Sequence, residues 1–102
     1  MISNHLRYFI EVADQKSFTK AAEKLYISQS TISKAVASLE TELQTSLFEH
    51  GKRNFALTPS GKLLYAFATD VLNYYDSQEK ALLSKIEKTD NKLSLGLPPT
   101  AG

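Results

Sequence analysis

A run of polar side chains between residues 29 and 38, interrupted by apolar residues, is the feature of the sequence best suited to binding chemistry. Gln29 begins it, Ser33 follows one helical turn later and Lys34 stands beside Ser33. A glutamine amide can pair with both the acceptor and the donor on an adenine edge, hydroxyls reach bases or phosphates, and an ammonium group reaches guanine or phosphate. These types and spacings favour contact with a nucleic acid. An ordinary solvated helix face would show the same pattern, and that is the competing interpretation.

Positive charge is concentrated in two windows of a 102-residue chain whose net charge is only +1. Residues 16–34 hold four lysines and one glutamate, and residues 51–62 hold Lys52, Arg53 and Lys62 without an acidic residue. Alternating charge blocks usually mark solvated surface. Because one window overlaps the polar run and the other follows it, the two together indicate a polyanionic partner, double-stranded DNA.

Other site chemistries find little support in the sequence. Cysteine is absent, and His5 and His50 have no partner ligand at helical spacing, so we expect no metal site. Residues 58–62 end in Gly-Lys but lack the upstream glycine of a phosphate-binding loop. A serine triad would need one of two histidines that lie on opposite sides of the polar run. We therefore expect neither an enzyme nor a cofactor.

Hydrophobic spacing predicts three short helices that would position the polar run. The first begins near Asn4, Ser17 caps the second and Ser28 caps the third. Their apolar positions, at intervals of three and four residues, are Leu6, Phe9, Ile10 and Ala13, then Phe18, Ala21, Ala22 and Leu25, then Ile32, Val36, Leu39 and Leu43. The three-residue break at 26–28 is that of a helix-turn-helix, over about residues 18–37, whose second helix enters the major groove of DNA.

The apolar pattern changes after residue 43. Short apolar pieces at 47–48 and 55–57 flank a polar tip with Gly51, which predicts a small β-hairpin, or wing. Thr58 and Pro59 then predict the start of a long helix over residues 59–87. At ~1.5 Å per residue this helix would be roughly 43 Å long, too long for the preceding domain to cover. We expect its apolar stripe to pair two chains through Leu64, Ala68, Val71, Tyr75, Leu82 and Ile86.

An ordered series of residues runs through these predicted elements: Ser17-Phe18-Thr19, Ala21-Ala22, Leu25, Ser28-Gln29-Ser30, Ser33-Lys34, Leu39-Glu40, Leu43, Leu47-Phe48, Leu57-Thr58 and Gly61. The series resembles the N-terminal DNA-binding domain of LysR-type transcriptional regulators, without a gap over residues 1–61. The resemblance implies a mainly α fold, in which a winged helix-turn-helix of three helices and a β-hairpin is followed by a long dimerisation helix. It also implies a bacterial, sequence-specific regulator that binds double-stranded DNA as a homodimer, or as a tetramer in the full-length parent.

The resemblance divides the chain into three parts. Residues 1–58 would form the winged helix-turn-helix domain, 59–90 the linker and dimerisation helix, and 91–102 the start of a missing effector-binding domain that alone would bind a small-molecule effector. Polar and apolar residues alternate from Lys92, as in a strand. No apolar run approaches the roughly 20 residues of a membrane span, and the N-terminus lacks a secretion signal. We therefore expect a cytoplasmic protein without a membrane partner.

The implied regulator would read a palindromic operator, with recognition helices in the major groove and wings at the phosphate backbone or minor groove. The expected DNA-binding residues are Thr19, Lys20, Gln29, Ser30, Thr31, Ser33, Lys34, Ser38, Lys52 and Arg53. The alternative hypothesis is a helical protein–protein interaction module that uses the long helix without binding DNA. The two hypotheses differ in one measurable property, since only the regulator would bind duplex DNA with an affinity that falls steeply with salt.

Three positions depart from the family pattern. Gln44 stands where glycine is usual after the third helix, His50 where arginine is usual, and Ser30 where proline is frequent. Either Gln44 adopts a left-handed cap, at a cost of about 1 kcal/mol, or the helix ends differently. His50 places a titratable group where the family has a permanent charge. Ser30 restores a backbone donor and adds a hydroxyl at the start of the recognition helix.

Overall fold

The computed structural model describes residues 4–49 and 55–93, with side chains described as far as residue 89. Within these ranges the secondary structure consists of α1 (Asn4–Gln15), α2 (Phe18–Leu25), α3 (Gln29–Leu43) and α4 (Pro59–Leu93). The mainly α class is confirmed. Helix α4 runs past the predicted boundary at residue 90 and includes Lys92 and Leu93, where we expected a strand to begin. The rest of that expected strand lies outside the described residues.

Side-chain hydroxyls cap three of the helices at the positions that the sequence predicts. Ser17 Oγ accepts a hydrogen bond from the backbone N–H of Lys20 at 3.0 Å, and Ser28 Oγ accepts one from Thr31 at 3.1 Å. Thr58 Oγ1 does the same for Gly61 at 3.0 Å. Each bond satisfies a backbone donor that a helix start would otherwise leave unpaired. The starts of α2, α3 and α4 are therefore fixed locally.

Helices α2 and α3 both end on a residue in the left-handed conformation. Tyr26 has φ 58° and Gln44 has φ 55°. The N–H of Tyr26 faces the carbonyls of Ala22 and Glu23, and Gln44 caps α3 in the same way. Gln44 thus adopts the conformation that glycine reaches at lower cost. At Tyr26 the same conformation ends α2 and opens the short turn before α3.

A compact first unit extends to Leu72 and is built on the three short helices. Its buried core consists of Phe9, Val12, Ala21, Ala22, Ile32, Val36, Leu39, Leu47 and Phe48. The ring of Phe48 lies 5.5 Å from that of Phe9, 5.6 Å from that of Phe18 and 4.9 Å from that of Phe55, measured between centroids. The predicted buried face of α3 is confirmed at Ile32, Val36 and Leu39, whereas Leu43 is 47% exposed.

The predicted β-hairpin wing is not confirmed. One antiparallel bridge joins Phe48 to Leu57, and residues 4–49 and 55–93 contain no strand. Two backbone hydrogen bonds flank the bridge, from Glu49 to Ala56 at 2.9 Å and from Thr58 to Leu47 at 3.0 Å. The described pairing, between residues 47–49 and 56–58, is shorter than a typical β-strand. The hairpin tip, residues 50–54, lies outside the described residues, and so do Lys52 and Arg53.

The second unit begins at Asn73 and, where described, consists of the later part of α4. Its large apolar side chains are mostly exposed: Tyr74, Leu82, Leu83 and Ile86. Tyr75 donates a long hydrogen bond of 3.5 Å to Glu79 one turn later. Over the part of the chain that the structure describes, no helix is both long enough and apolar enough to cross a membrane.

Candidate nucleic-acid interface

Helix α3 has an apolar face on one side and a mainly polar face on the other. Ile32, Ala35, Val36 and Leu39 are buried in the core of the first unit. The predicted contact residues on this helix are all exposed: Gln29, Ser30, Thr31, Ser33, Lys34 and Ser38. Burial on one side anchors the helix, while side chains that can donate to bases or phosphates cover the other side. The structure therefore presents these six residues to solvent on one element.

The first turn of α2 meets the first turn of α3 through their side chains. Thr19 Oγ1 donates a hydrogen bond to Gln29 Oε1 at 3.1 Å. Thr19 and its neighbour Lys20 are both exposed. The structure thus brings Thr19, predicted as a DNA contact, next to Gln29 at the leading end of α3. The sequence pattern did not predict this contact, because ten positions separate the two residues.

A cluster of hydroxyl groups surrounds Ser28, the N-cap residue of α3. Ser28 Oγ lies 3.2 Å from the hydroxyl of Ser30 and 2.8 Å from that of Thr31. The same oxygen accepts the backbone N–H of Thr31. The sequence pattern predicts Ser28 only as a cap, although three hydroxyl residues within four positions are a signal for this cluster. The cluster orients the side chains of Ser30 and Thr31 at the start of α3.

One lysine of the first basic window is paired within the domain. Lys24 Nζ lies 3.4 Å from Glu11 Oε2, and Gln15 Nε2 donates to the same carboxylate oxygen at 2.8 Å. The side chain of Lys24 is 62% exposed, so this ion pair adds less than about 1 kcal/mol to stability. Its charge is nevertheless partly neutralised by Glu11. Lys20 and Lys34 are the lysines of this window that we predicted as DNA contacts.

The connection between α3 and α4 is held by hydrogen bonds that sequence analysis missed. Glu40 Oε2 accepts the backbone N–H of Leu47 at 2.8 Å, and Thr58 Oγ1 donates to the carbonyl of Ser46 at 2.6 Å. Thr45 Oγ1 donates to Ser60 Oγ at 3.1 Å. These bonds join the segment after α3 to the first turn of α4. The start of α4 is thereby fixed against the domain that carries α3.

The residues predicted to pair two chains differ in how much of each side chain is exposed. Ala68 has 0% of its surface exposed within a single chain, so it has no surface left for a partner and the prediction for Ala68 is corrected. Leu64, Val71 and Tyr75 are partly buried, and Leu64 packs against the core. Leu82 and Ile86, in the second unit, are exposed as an interface would require. The first part of α4 thus buries much of the predicted stripe within its own chain.

A different apolar pair is exposed on the first part of α4. Leu63 is 76% exposed and Phe67, one turn later, is 58% exposed. Side chains four residues apart lie on the same helix face. The pair lies outside the apolar stripe through Leu64 that the sequence pattern predicts as the interface. The available signal was the second apolar series starting at Leu63.

The described side chains contain no group of the kind that holds a metal ion. Across residues 4–49 and 55–89, no cluster of three or more His, Asp or Glu side chains has an arrangement that could hold a metal ion. The exposed side chains predicted to contact DNA on α2 and α3 carry amide, hydroxyl and ammonium groups.

The family of the chain follows from a match over the whole helix-turn-helix. The family model described as "Bacterial regulatory helix-turn-helix protein, lysR family" matches residues 3–62, which is more than half of the 102 residues. The chain belongs to the LysR family. The resemblance carried by the ordered residue series is thus confirmed.

Curated relatives of this LysR family chain are transcriptional regulators. The HTH-type transcriptional regulator BenM of Acinetobacter baylyi is 38% identical over 92 residues, which cover 90% of this chain and 30% of BenM. The Hca operon transcriptional activator HcaR of Escherichia coli is 39% identical over 99 residues, covering 95% of this chain and 32% of HcaR. The chain spans about a third of the length of the curated relatives it matches. The names describe regulators rather than enzymes, in agreement with the sequence-based expectation.

Solved LysR family structures share the fold. A complex of the BenM DNA-binding domain with catB site 1 DNA matches with a TM-score of 0.75 and 40% identity, covering 85% of this chain and 97% of that one. Full-length OxyR from Pseudomonas aeruginosa also matches with a TM-score of 0.75, at 34% identity, over 82% of this chain and 28% of that one. These likenesses confirm the helical architecture around α3.

Proposed function

We propose that this LysR family chain binds double-stranded DNA sequence-specifically as part of a transcription regulator, with α3 in the major groove. The observation that carries the proposal is that α3 has two different sides: Ile32 and Val36 anchor one side in the core, and the other side exposes mainly polar side chains. The major groove, about 12 Å wide, admits an α-helix. The DNA complex of the similarly folded BenM domain supports this assignment.

The exposed residues fall into two groups, those suited to contact base edges and those suited to contact phosphates. Gln29 and Ser33 can exchange hydrogen bonds with base edges, whereas Lys20 and Lys34 carry charges suited to phosphate oxygens. The hydroxyls around them, those of Ser30, Thr31 and Ser38, can donate to either target. Lys52 and Arg53, outside the described residues, remain proposed contacts of the wing with the backbone or minor groove.

The proposed regulator acts as an isologous dimer of two identical chains that pair through α4. Leu63 and Phe67 expose apolar surface on the first unit, and Leu82 and Ile86 do so on the second. Covering a large apolar side chain contributes roughly 1.5–3 kcal/mol, and in a symmetric pair each copy covers the same patch of the other. Two recognition helices at a fixed separation would read a palindrome whose half-sites lie a whole number of turns apart, each turn about 34–36 Å.

The test is selection of preferred duplexes from a random library by the unmodified chain and by Gln29→Ala and Ser33→Ala. We expect the unmodified chain to enrich a palindromic sequence and each variant to lose preference at particular base pairs, at a cost of ~1–3 kcal/mol per lost contact. Ser77→Ala, an exposed serine on α4, is the matched control and should leave the preference unchanged.

Two outcomes would count against this function. If Gln29→Ala and Ser33→Ala select the same sequences as the unmodified chain, α3 is not the reading element. If the unmodified chain shows no salt-dependent binding to any duplex, the chain is instead a helical interaction module that uses α4.

A further inference from the structure

Thr19 and Gln29 lie at the starts of two consecutive helices and face each other. The donor is Thr19 Oγ1, the acceptor is Gln29 Oε1, and the distance between them is 3.1 Å. The backbone beneath each residue is held by a cap, since Ser17 satisfies the first turn of α2 and Ser28 that of α3. The bond therefore joins two well-anchored positions at the edge of the proposed DNA-binding surface.

The number of protons on the Thr19 hydroxyl limits the hydrogen bonds that Thr19 can donate to DNA. A threonine hydroxyl has a single proton, and here that proton is directed to Gln29. Phosphate oxygens only accept hydrogen bonds. While the bond to Gln29 persists, Thr19 has no proton to offer a phosphate. A contact from the Thr19 hydroxyl to a phosphate, one of the DNA contacts expected from the sequence, thus conflicts with the geometry of this hydroxyl.

We propose that Thr19 is a positioning residue that fixes the amide plane of Gln29 and thereby sets its base preference; this inference rests on the proposed function. The bond occupies one acceptor position of Oε1 and leaves the other, together with both Nε2 protons. Held in this way, the amide presents a donor and an acceptor side by side. That pair of groups matches N7 and the N6 amino group of adenine in the major groove.

Loss of the hydroxyl would change the choice between adenine and guanine. Guanine presents two acceptors, N7 and O6, in the major groove. If the Gln29 amide is free to turn, it can direct both Nε2 protons to these acceptors. If Thr19 holds the amide, its oxygen stays next to a guanine acceptor, and two acceptors cannot form a hydrogen bond. Thr19 would therefore act against guanine at the base pair read by Gln29, without touching DNA itself.

The test compares four variants after the base pair read by Gln29 has been located as the position whose preference Gln29→Ala abolishes. Thr19→Val keeps the branched shape of the side chain and removes the hydroxyl, while Thr19→Ser keeps the hydroxyl. We expect Thr19→Val to reduce the preference for adenine over guanine at that position by roughly three- to tenfold, as befits one hydrogen bond. Thr19→Ser should retain the preference, and Thr19→Val should add no loss in the Gln29→Ala background.

Each possible result is decisive. An unchanged adenine preference in Thr19→Val overturns the positioning role. A loss of affinity that is equal for all sequences, with a shallower salt dependence, would make Thr19 a phosphate contact and also overturns it. If Gln29→Ala itself alters no preference, the failure belongs to the proposed function rather than to Thr19. Thermal unfolding of Thr19→Val and Thr19→Ser, followed by circular dichroism, verifies that both variants are folded.

Discussion

The phenol of Tyr65 on α4 donates a hydrogen bond of 2.5 Å to Oδ1 of Asp14 on α1. This bond raises the pKa of Tyr65 above its ordinary value, and removal from water and the negative charge of Asp14 act in the same direction. The ring of Tyr65 also packs against the hydrophobic core. Within the first unit, the pair ties the beginning of α4 to the helix on which α2 and α3 rest.

Tyr65→Phe removes the hydrogen bond to Asp14 and should therefore destabilise the chain near pH 8. The loss should be only about 1 kcal/mol or less, because the pair is exposed to solvent. Since the folded state holds the phenol proton more tightly than the unfolded state, this stabilisation is full below pH ~10 and decreases as the pH rises through the folded pKa. Urea unfolding at about pH 9 and pH 11 should show a larger alkaline loss for the unmodified chain than for Tyr65→Phe. Tyr74→Phe, at an exposed position, is the control, and an equal loss in Tyr65→Phe would contradict the role of the bond.

Gly61→Ala should destabilise the junction between α3 and α4. A Cβ atom on Gly61 would lie 2.1 Å from the carbonyl oxygen of Leu47, which also accepts the backbone N–H of Thr58. Since that backbone is held in place, we expect a loss of ~1–3 kcal/mol in urea unfolding. Lys62→Ala changes an exposed neighbour on the same turn and should change stability little. Equal or higher stability of Gly61→Ala would show that the junction moves freely.

Gln44→Gly should stabilise the chain by about 1 kcal/mol, because glycine adopts the left-handed cap of α3 without the steric cost that glutamine bears. Glu42→Gly is the matched control at an exposed position inside the same helix, where glycine should cost about 1 kcal/mol. Thermal unfolding of the two variants should therefore shift in opposite directions. A shift in the same direction would mean that the cap carries no strain.

Lys34→Ala should weaken binding to all duplexes to a similar extent, because we assign its exposed ammonium group to a phosphate. The slope of log affinity against log salt should become shallower by about one unit, as expected when one phosphate contact is lost. Lys80→Ala removes the same charge from an exposed position on the second unit and is the control. A change in sequence preference without a change in slope would make Lys34 a base reader instead.

Phe67→Asp should convert the proposed dimer into a folded monomer. Because Phe67 is 58% exposed in a single chain, its replacement leaves the core intact while placing a charge in the apolar interface. Sedimentation should show half the mass, and DNA binding should become weaker and lose its preference for a palindrome. Asn73→Asp adds the same charge at an exposed polar position and should remain dimeric. A dimeric Phe67→Asp would place the interface elsewhere.

The sequence by itself determined the helices of the first unit and the residues at which α2, α3 and α4 begin. The caps at Ser17, Ser28 and Thr58 involve residues only three positions apart, and the apolar intervals specify which face of each helix is buried. The exposed face of α3 followed in the same way, because a helix buried on Ile32 and Val36 must expose the opposite side. These features depend on short-range spacing, which the order of residues contains directly.

Only the tertiary structure decided the contacts between segments that are distant in the chain. Ala68 is buried within one chain while Phe67 beside it is exposed, since the core of the domain covers only one side of α4. The bond from Thr19 to Gln29 likewise depends on how α2 meets α3. The bridge between Phe48 and Leu57 also joins residues nine positions apart, and the ring of Phe48 packs in the core. Periodicity assigns a residue to a helix face, but the neighbour on that face is set by how the helices pack.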